Sequence, residues 1–427
     1  MKRLLSLCLA LIFALVAFNG SVSAQDLKKE IGVFVDGLSV EFDVFPVNLN
    51  GRVLIPFRAI AEALNVEVLW EASTKTVTAS DADTSITLQI GNKTAFKDEE
   101  AIILDVPPEI VNGRTLIPIR FFSEAFGCEV LWDGSANAVR IASPKKAMDV
   151  LGFYGLGSAE ASSWTDLFGK SYPQTSLGNT DIVSELSFSW YGMDEKGNLT
   201  QNYKTGWLKP DGWDKLLVVA KSYNLKTEMC INMVDGENYV TNLLENQVSV
   251  SNAIYNIVNE ASIYCGVNID FEGLGLSQRG QELEKVKSSF NNFVKLLSQE
   301  LKKKDLRLTL SLHAPNSSYK GYDYKTLGQL ADRIIVMAHD YGMKPEPESL
   351  VIQAIEEAKK DVPADKLYLA VSAASENADS IKIKVGIAKM YGLKGISLWR
   401  LGLVSDEMWS ALREVIATRP VETETMP

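Results

Sequence analysis

Tyr264-Cys265-Gly266-Val267-Asn268-Ile269-Asp270-Phe271-Glu272-Gly273 is a short apolar run broken at every second position by a polar group. In an extended strand successive side chains point to opposite faces. Asn268, Asp270 and Glu272 therefore share one face, and Val267, Ile269 and Phe271 share the other. Burying charge is expensive, so an ordinary buried strand does not line up two carboxylates and an amide. A strand that ends in such a row and is followed by glycine has the pattern of a functional site. The competing reading makes Asp270 and Glu272 structural salt-bridge partners at the start of a loop, and it leaves the triple alternation unexplained.

Outward from this strand, residues 148–417 alternate apolar extended runs with longer helical stretches. Strands are predicted at Val150–Tyr154, Ile182–Trp190, Lys226–Asn232, Gly266–Glu272, Arg307–His313, Arg333–Ala338, Leu367–Ser372 and Gly395–Trp399. Helices are predicted between them, among them Asp214–Ser222, Val250–Ala261, Glu282–Lys303, Leu350–Lys360 and Ser380–Tyr391, with a last one at Glu407–Thr418. Eight such strands in this span fit an α/β fold, the (β/α)8 barrel of about 250 residues, whose chemistry sits at the C-terminal strand ends. Glu272 closes the fourth strand in that place. On the fifth, Thr309, Ser311 and His313 share a face. On the sixth, Met337, His339 and Tyr341 do so if the strand runs that far. Trp399 ends the eighth and is followed by Arg400; Tyr154, Trp190 and Tyr191 stand at other strand ends. Aromatic faces beside a few carboxylates suit a sugar-binding cleft, although core packing is the competing role for each aromatic taken singly.

Ahead of the barrel, residues 25–144 contain an internal repeat. Asn50-Gly51-Arg52-Val53-Leu54-Ile55-Pro56-Phe57-Arg58 recurs as Asn112-Gly113-Arg114-Thr115-Leu116-Ile117-Pro118-Ile119-Arg120. Val68-Leu69-Trp70 recurs as Val130-Leu131-Trp132. Asn-Gly predicts a turn and the prolines suit a helix start. Each copy thus reads as turn, strand, helix and hairpin, a small α+β unit. Arg58 and Arg120 are expected to make internal ion pairs. Ser143-Pro144-Lys145-Lys146 reads as a short hinge to the barrel, and residues 418–427 as a tail.

The chain of 427 residues has 46% hydrophobic residues and a formal net charge of −11. Such a charge speaks against a nucleic-acid partner. Lys2-Arg3, the apolar run Leu4–Phe18 and Val22-Ser23-Ala24 together predict a signal peptide (residues 1–24) cleaved after Ala24, hence a secreted or cell-wall- or spore-associated protein. An uncleaved membrane anchor is the alternative, but the run is short for a span. Cys128, Cys230 and Cys265 remain after cleavage. An odd number is no disulfide framework; one bridge between Cys230 and Cys265 is conceivable, with buried free thiols the expectation.

If Asp270 and Glu272 grip a glycoside, both approach it from one side, because same-face neighbours on a strand are about 6.5–7 Å apart at the backbone. Retaining hydrolysis by two carboxylates needs one on each side of the sugar. One solution is attack by the substrate's own 2-acetamido oxygen. Asp270 would then orient the amide, Asn268 would hydrogen-bond Asp270, and Glu272 would protonate the leaving oxygen and later activate water. A proton held between the two acids would help keep Glu272 protonated near neutrality.

Gly266-Val267-Asn268-Ile269-Asp270-Phe271-Glu272 resembles the D-G-x-D-x-D-x-E motif of glycoside hydrolase family 18, and most closely its spore-cortex-lytic and cell-wall N-acetylglucosaminidase branch. Met337-Ala338-His339-Asp340 resembles the family's M-x-Y-D. The resemblance implies a (β/α)8 barrel acting by the substrate-assisted route. It makes Glu272 the acid/base, Asp270 the residue that orients the acetamide, and Asn268, His339 and Asp340 supporting residues. Trp399 is implied as the floor of the −1 sugar site, and Tyr154, Trp190, Tyr191, Met337 and Tyr341 are further candidates for sugar contact. Two departures stand out. Cys265 replaces the opening Asp, and His339 replaces a Tyr, so that the charge of a substrate contact would depend on pH.

Residues 25–144 resemble the copper amine oxidase N-terminal-like, or stalk, domain of secreted bacterial proteins. His313 and His339 are the chain's only histidines and lie outside this module, so no metal and no cofactor is expected. The resemblances imply a secreted glycosidase acting on peptidoglycan or chitin, with the stalk a structural or wall-associating module. The alternatives are a lectin that keeps the barrel without the activity, and a structural wall or spore-coat protein.

Overall fold

The computed structural model describes residues 30–155, 162–201 and 209–421. The expected signal peptide lies outside them.

Eight parallel strands close into a barrel. They are β1 Asp149–Tyr154, β2 Glu185–Met193, β3 Lys226–Val234, β4 Gly266–Glu272, β5 Arg307–His313, β6 Arg333–Met337, β7 Leu367–Ser372 and β8 Gly395–Trp399. Each pairs with the next, and β8 closes on β1 through Asp149↔Gly395 to Gly152↔Leu398. Helices such as Gly280–Lys302 and Ala378–Met390 pack around the outside. The main apolar core is the layer between strands and helices, with Ile269, Phe271, Phe290 and Phe293 fully enclosed in it. The α/β class, the barrel and the eight predicted strands are as expected.

Inside, side chains sit in layers, as barrels of this kind require. The bottom layer is ionic. Arg333, 3% exposed, donates to Glu185 (2.9 Å), Glu228 (2.6 Å) and the Thr309 hydroxyl (2.7 Å). Arg307 adds a second guanidinium to Glu185 at 2.7 Å. The middle layer holds Asn268 between Ser187 and Ser311. The top layer opens at the strand ends.

Residues 30–144 form a separate small module with its own core around Ile55, Ile60, Ile117 and Phe122. Its repeats are interleaved. Strands Arg52–Pro56 and Arg114–Pro118 pair antiparallel, with Ile55 opposite its own repeat partner Ile117. Both Asn-Gly pairs have positive φ (51° and 77°; 49° and 76°), the geometry of a tight two-residue hairpin turn. The expected ion pair of Arg120 is present, with Glu124 at 3.9 Å one turn along its helix, while that of Arg58 is corrected, since it makes none among the described residues. Arg52 and Arg114 also pair, with Asp105 and Asp43 from the other half of the module.

The expected hinge is pinned rather than free. Lys389 from the helix Ala378–Met390 donates to the Ser143 hydroxyl and the Pro144 carbonyl, both at 3.1 Å, and Ser143 donates to Asp36 at 2.6 Å. The expected tail also starts later than residue 418. Arg419 donates to the carbonyls of Thr180, Val183, Tyr223 and Asn224, which fastens it beneath the barrel. Cys128 and Cys230 are buried thiols, Cys265 is exposed, and the three are unpaired.

Candidate active site

The β4 row is placed as its alternation predicts. Asn268 (fully buried), Asp270 (3% exposed) and Glu272, the most open of the three, climb one inward face toward the barrel mouth. Gly273 follows at φ 87°, a conformation that favours glycine and turns the chain away directly after the acid. Tyr322 fixes this strand end by donating to the Phe271 carbonyl at 2.7 Å and accepting from the Leu274 amide at 3.3 Å.

The two carboxylates are joined by a residue that sequence reasoning missed. Asn232, at the end of β3, donates Nδ2 to Asp270 Oδ2 at 2.8 Å and to Glu272 Oε1 at 3.2 Å. Its register opposite Asp270 on the neighbouring strand brings it there. The signal was present, since Glu228, Cys230 and Asn232 alternate on β3 as the β4 row does. Asn268 is corrected. Its amide is consumed by Ser187 (3.1 Å) and Ser311 (3.0 Å), so it braces the barrel and does not bond Asp270.

Burial dominates the electrostatics. Desolvation, and then the charge of Glu272, raise the Asp270 carboxyl well above its ordinary range, while the Asn232 hydrogen bond opposes the rise. Glu272 is also raised, first by desolvation, with Asn232 and the nearby His339 opposing. The pair therefore holds a proton in common more readily than two separate acids would. Asp270 Oδ1 is buried with no hydrogen-bond partner among the described residues.

His313 ends β5 with Nε2 3.8 Å from Glu272 Oε2 and its ring stacked on Tyr319, centroids 3.9 Å apart. Burial, followed by the repulsion of His339, pushes its pKa down to about 4. At neutral pH it is uncharged, so this approach is not an ion pair.

The sixth strand stops at Met337, two residues before His339. Asp340 has φ 63°, and the buried Glu346 carboxylate accepts from the amides of Asp340 (3.0 Å) and Tyr341 (3.1 Å). The expected common face of Met337, His339 and Tyr341 is thus broken by a fixed turn. His339 still reaches the site's field, with Nδ1 3.0 Å from the exposed Asp340 carboxylate. The Tyr341 hydroxyl donates to Asn316 Oδ1 at 2.9 Å.

The wall across the barrel from β4 is apolar. Trp399 and Phe153 meet edge to face at 5.1 Å, with Met337 in the same cluster. Trp399 and Met337 line this wall from the ends of β8 and β6, together with Phe153, which sequence reasoning did not single out. Tyr154, Trp190 and Tyr191 are corrected. Tyr154 lies one residue past the inward Phe153 and so faces out. Trp190 stacks on Phe188 at 4.3 Å in the outer core, and the Tyr191 hydroxyl bonds Glu260 and Tyr264. A register shift between Phe188 and Tyr191 carries this stretch of β2 away from the cleft.

Among known proteins, the family model "Glycosyl hydrolases family 18" matches residues 169–378, and "Copper amine oxidase N-terminal domain" matches residues 34–141. The chain is similar to a Bacillus subtilis protein described as "Uncharacterized glycosylase YvbX". The two are 22% identical over 345 residues, which is 62% of this chain and 95% of that one. In three dimensions it is similar to a chitinase from Chromobacterium violaceum (TM-score 0.52, 21% identity, 64% of this chain and 100% of that chain). It is also similar to the spore cortex-lytic enzyme SleL of Bacillus cereus (TM-score 0.51, 16% identity, 64% and 76%). At these identities the structural likeness is one of fold.

Proposed function

Because the barrel belongs to glycosyl hydrolases family 18, we propose that the protein hydrolyses β-linked N-acetylglucosamine glycans with the substrate's own acetamide as nucleophile. The observation that carries this reading is the one-sidedness of the acids. Asp270 and Glu272 share one strand face and one amide donor, while Trp399 and Phe153 form the opposite wall. Two-carboxylate retention needs acids about 5–5.5 Å apart across the sugar, and inversion needs room for a water between them. An acetamido oxygen supplied by the sugar removes the need for an acid on the far wall.

The steps follow from the residues. Protonated Glu272 gives its proton to the glycosidic oxygen as the C1–O bond breaks, and the acetamido oxygen bonds to C1. Asp270, with Oδ1 unpartnered, accepts the acetamide N–H and stabilises the positive oxazolinium ring. Ionised Glu272 then takes a proton from water, which attacks C1 and reopens the ring with the β configuration retained. Trp399 offers the sugar an apolar floor.

Peptidoglycan and chitin-like oligomers both carry the required unit. The Gly266–Glu272 run and the appended module favour a wall glycan. The N-terminal basic and apolar run supports export to it, and the small module is read as wall-associating.

The test is release of reducing ends from purified peptidoglycan and from chitooligosaccharides by wild type and by Glu272→Gln. Release by the wild type and loss in the variant support the reading. Equal release by both overturns the role of Glu272. Binding without release by the wild type returns the barrel to a lectin.

A further inference from the structure

The repeats of the small module build the same groove twice. Ile55 pairs with Ile117, Leu54 with Pro118 and Pro56 with Leu116, so a pseudo-two-fold axis passes through this strand pair. The first groove, about 450 Å³, is lined by Trp70 and Arg58 of the first repeat and by Arg114 of the second. The second, about 270 Å³, is lined by Trp132 and Arg120 of the second repeat and by Arg52 of the first. Trp70, Arg58 and Arg114 of one groove thus have their repeat counterparts Trp132, Arg120 and Arg52 in the other, with the donating repeats exchanged.

Three features of this pair exceed what a scaffold needs. The tryptophans sit on edge strands and are 38% and 47% exposed, though a wholly structural indole would be covered. Arg58 and Arg120 stand on the short helices as exposed guanidiniums, the first with no ion pair among the described residues and the second paired with Glu124 at 3.9 Å on the surface. Arg114 and Arg52 are held in place by Asp43 and Asp105. An apolar ring face beside guanidinium donors, with the carboxylates of Glu41, Asp43 and Glu62 lining the first groove and Asp105 reaching the second only through its pair with Arg52, is the donor and acceptor set of a pyranose site.

Charge narrows the ligand. Residues 31–144 carry 16 acidic and 8 basic side chains, so the module as a whole repels a polyanion. We propose that the small module is a bivalent carbohydrate-binding unit, its Trp70 and Trp132 grooves each holding a segment of a neutral N-acetylated glycan. The choice of polymer rests on the glycosidase reading of the barrel; the grooves do not. Two sites on one rigid module bind a long strand more tightly than either alone, by avidity.

The experiment uses the full chain carrying Glu272→Gln, so that bound polymer is not cut, sedimented with insoluble chitin and with purified peptidoglycan. Trp70→Ala or Trp132→Ala alone should weaken retention several-fold on the polymer that binds. The double variant should weaken it by about tenfold or more, in line with loss of avidity. Arg58→Ala with Arg120→Ala, both at the surface, should act in the same direction and guards against misfolding as the cause. In the otherwise wild-type chain, the tryptophan changes should leave cleavage of a short soluble chitooligosaccharide unchanged. Retention of the double variant equal to that of its parent overturns the proposal, as does binding of the parent to neither polymer. Tryptophan-dependent binding by a chain with no hydrolytic activity would sink the glycosidase reading and leave the grooves standing.

Discussion

Asn232→Ala removes one amide that serves both acids, and its effect can be worked from the geometry. Nδ2 lies 2.8 Å from Asp270 and 3.2 Å from Glu272, and each contact is a hydrogen bond to a group that is charged at some stage of the cycle. Such bonds contribute about 1.5–3 kcal/mol. If one of them is realised in the transition state, kcat/KM should fall roughly 10- to 150-fold. The pH dependence carries the sharper signature. Asn232 lowers the pKa of both acids by favouring their ionised forms, so its loss raises them further. The alkaline limb of kcat/KM, where Glu272 must still hold its proton, should move to higher pH. The assay is a kcat/KM profile on a soluble chitooligosaccharide with wild type, Asn232→Ala and, as a fold control, thermal melting of each. An unchanged rate with an unmoved alkaline limb would refute the bridging role, and a limb displaced to lower pH would refute the electrostatic argument.

Three further outcomes are expected. His339 holds the Glu272 pKa down, so His339→Tyr should shift the alkaline limb upward; an unmoved pH–rate profile would show that the imidazole charge does not control the acid. The buried His313 titrates at about 4 instead of 6.5, so it contributes stability that is present above pH 6.5 and is lost as pH falls toward 4. His313→Gln should therefore lose less stability than wild type over that window, by a few kcal/mol (about 3) in denaturant titrations; parallel losses would contradict a buried neutral imidazole. Arg333→Leu strands Glu228 in the barrel floor, leaves Glu185 with Arg307 alone, and should cost about 3–5 kcal/mol of unfolding free energy. Replacing Arg333 and Glu228 together by apolar residues, with Glu185 still paired to Arg307, should recover much of that loss, and chemical denaturation reads both.

The barrel and its acids were legible because charge on a buried strand face is too costly to be incidental, and β4 wears it in plain alternation. The ends of strands were less legible. Tyr154 and Phe153 differ by one position, and only the register decides which of them faces the cleft. Trp190 shares the outward face of Phe188 by plain alternation, and the register shift in β2 turned Tyr191 outward as well, which nothing in local composition marks. β6 stops at Met337 and Asp340 takes a left-handed conformation just past His339, which period-two reasoning does not anticipate. Asn232 escaped notice because its partners lie 38 and 40 residues away on a neighbouring strand. In the small module the repeat was plain in the sequence. That its arginines reach across to the opposite repeat follows from the pairing of Ile55 with Ile117, which the sequence does not announce.

The central claim is that the one-sided acids Asp270 and Glu272 work because the substrate brings its own nucleophile. Matched β-linked oligosaccharides with and without the 2-acetamido group, followed by NMR of the newly released anomer, test it most directly. Hydrolysis confined to the acetamido substrate, with the β anomer released first, is the predicted result. Comparable cleavage of the oligosaccharide lacking the acetamide, or initial release of the α anomer, would contradict it.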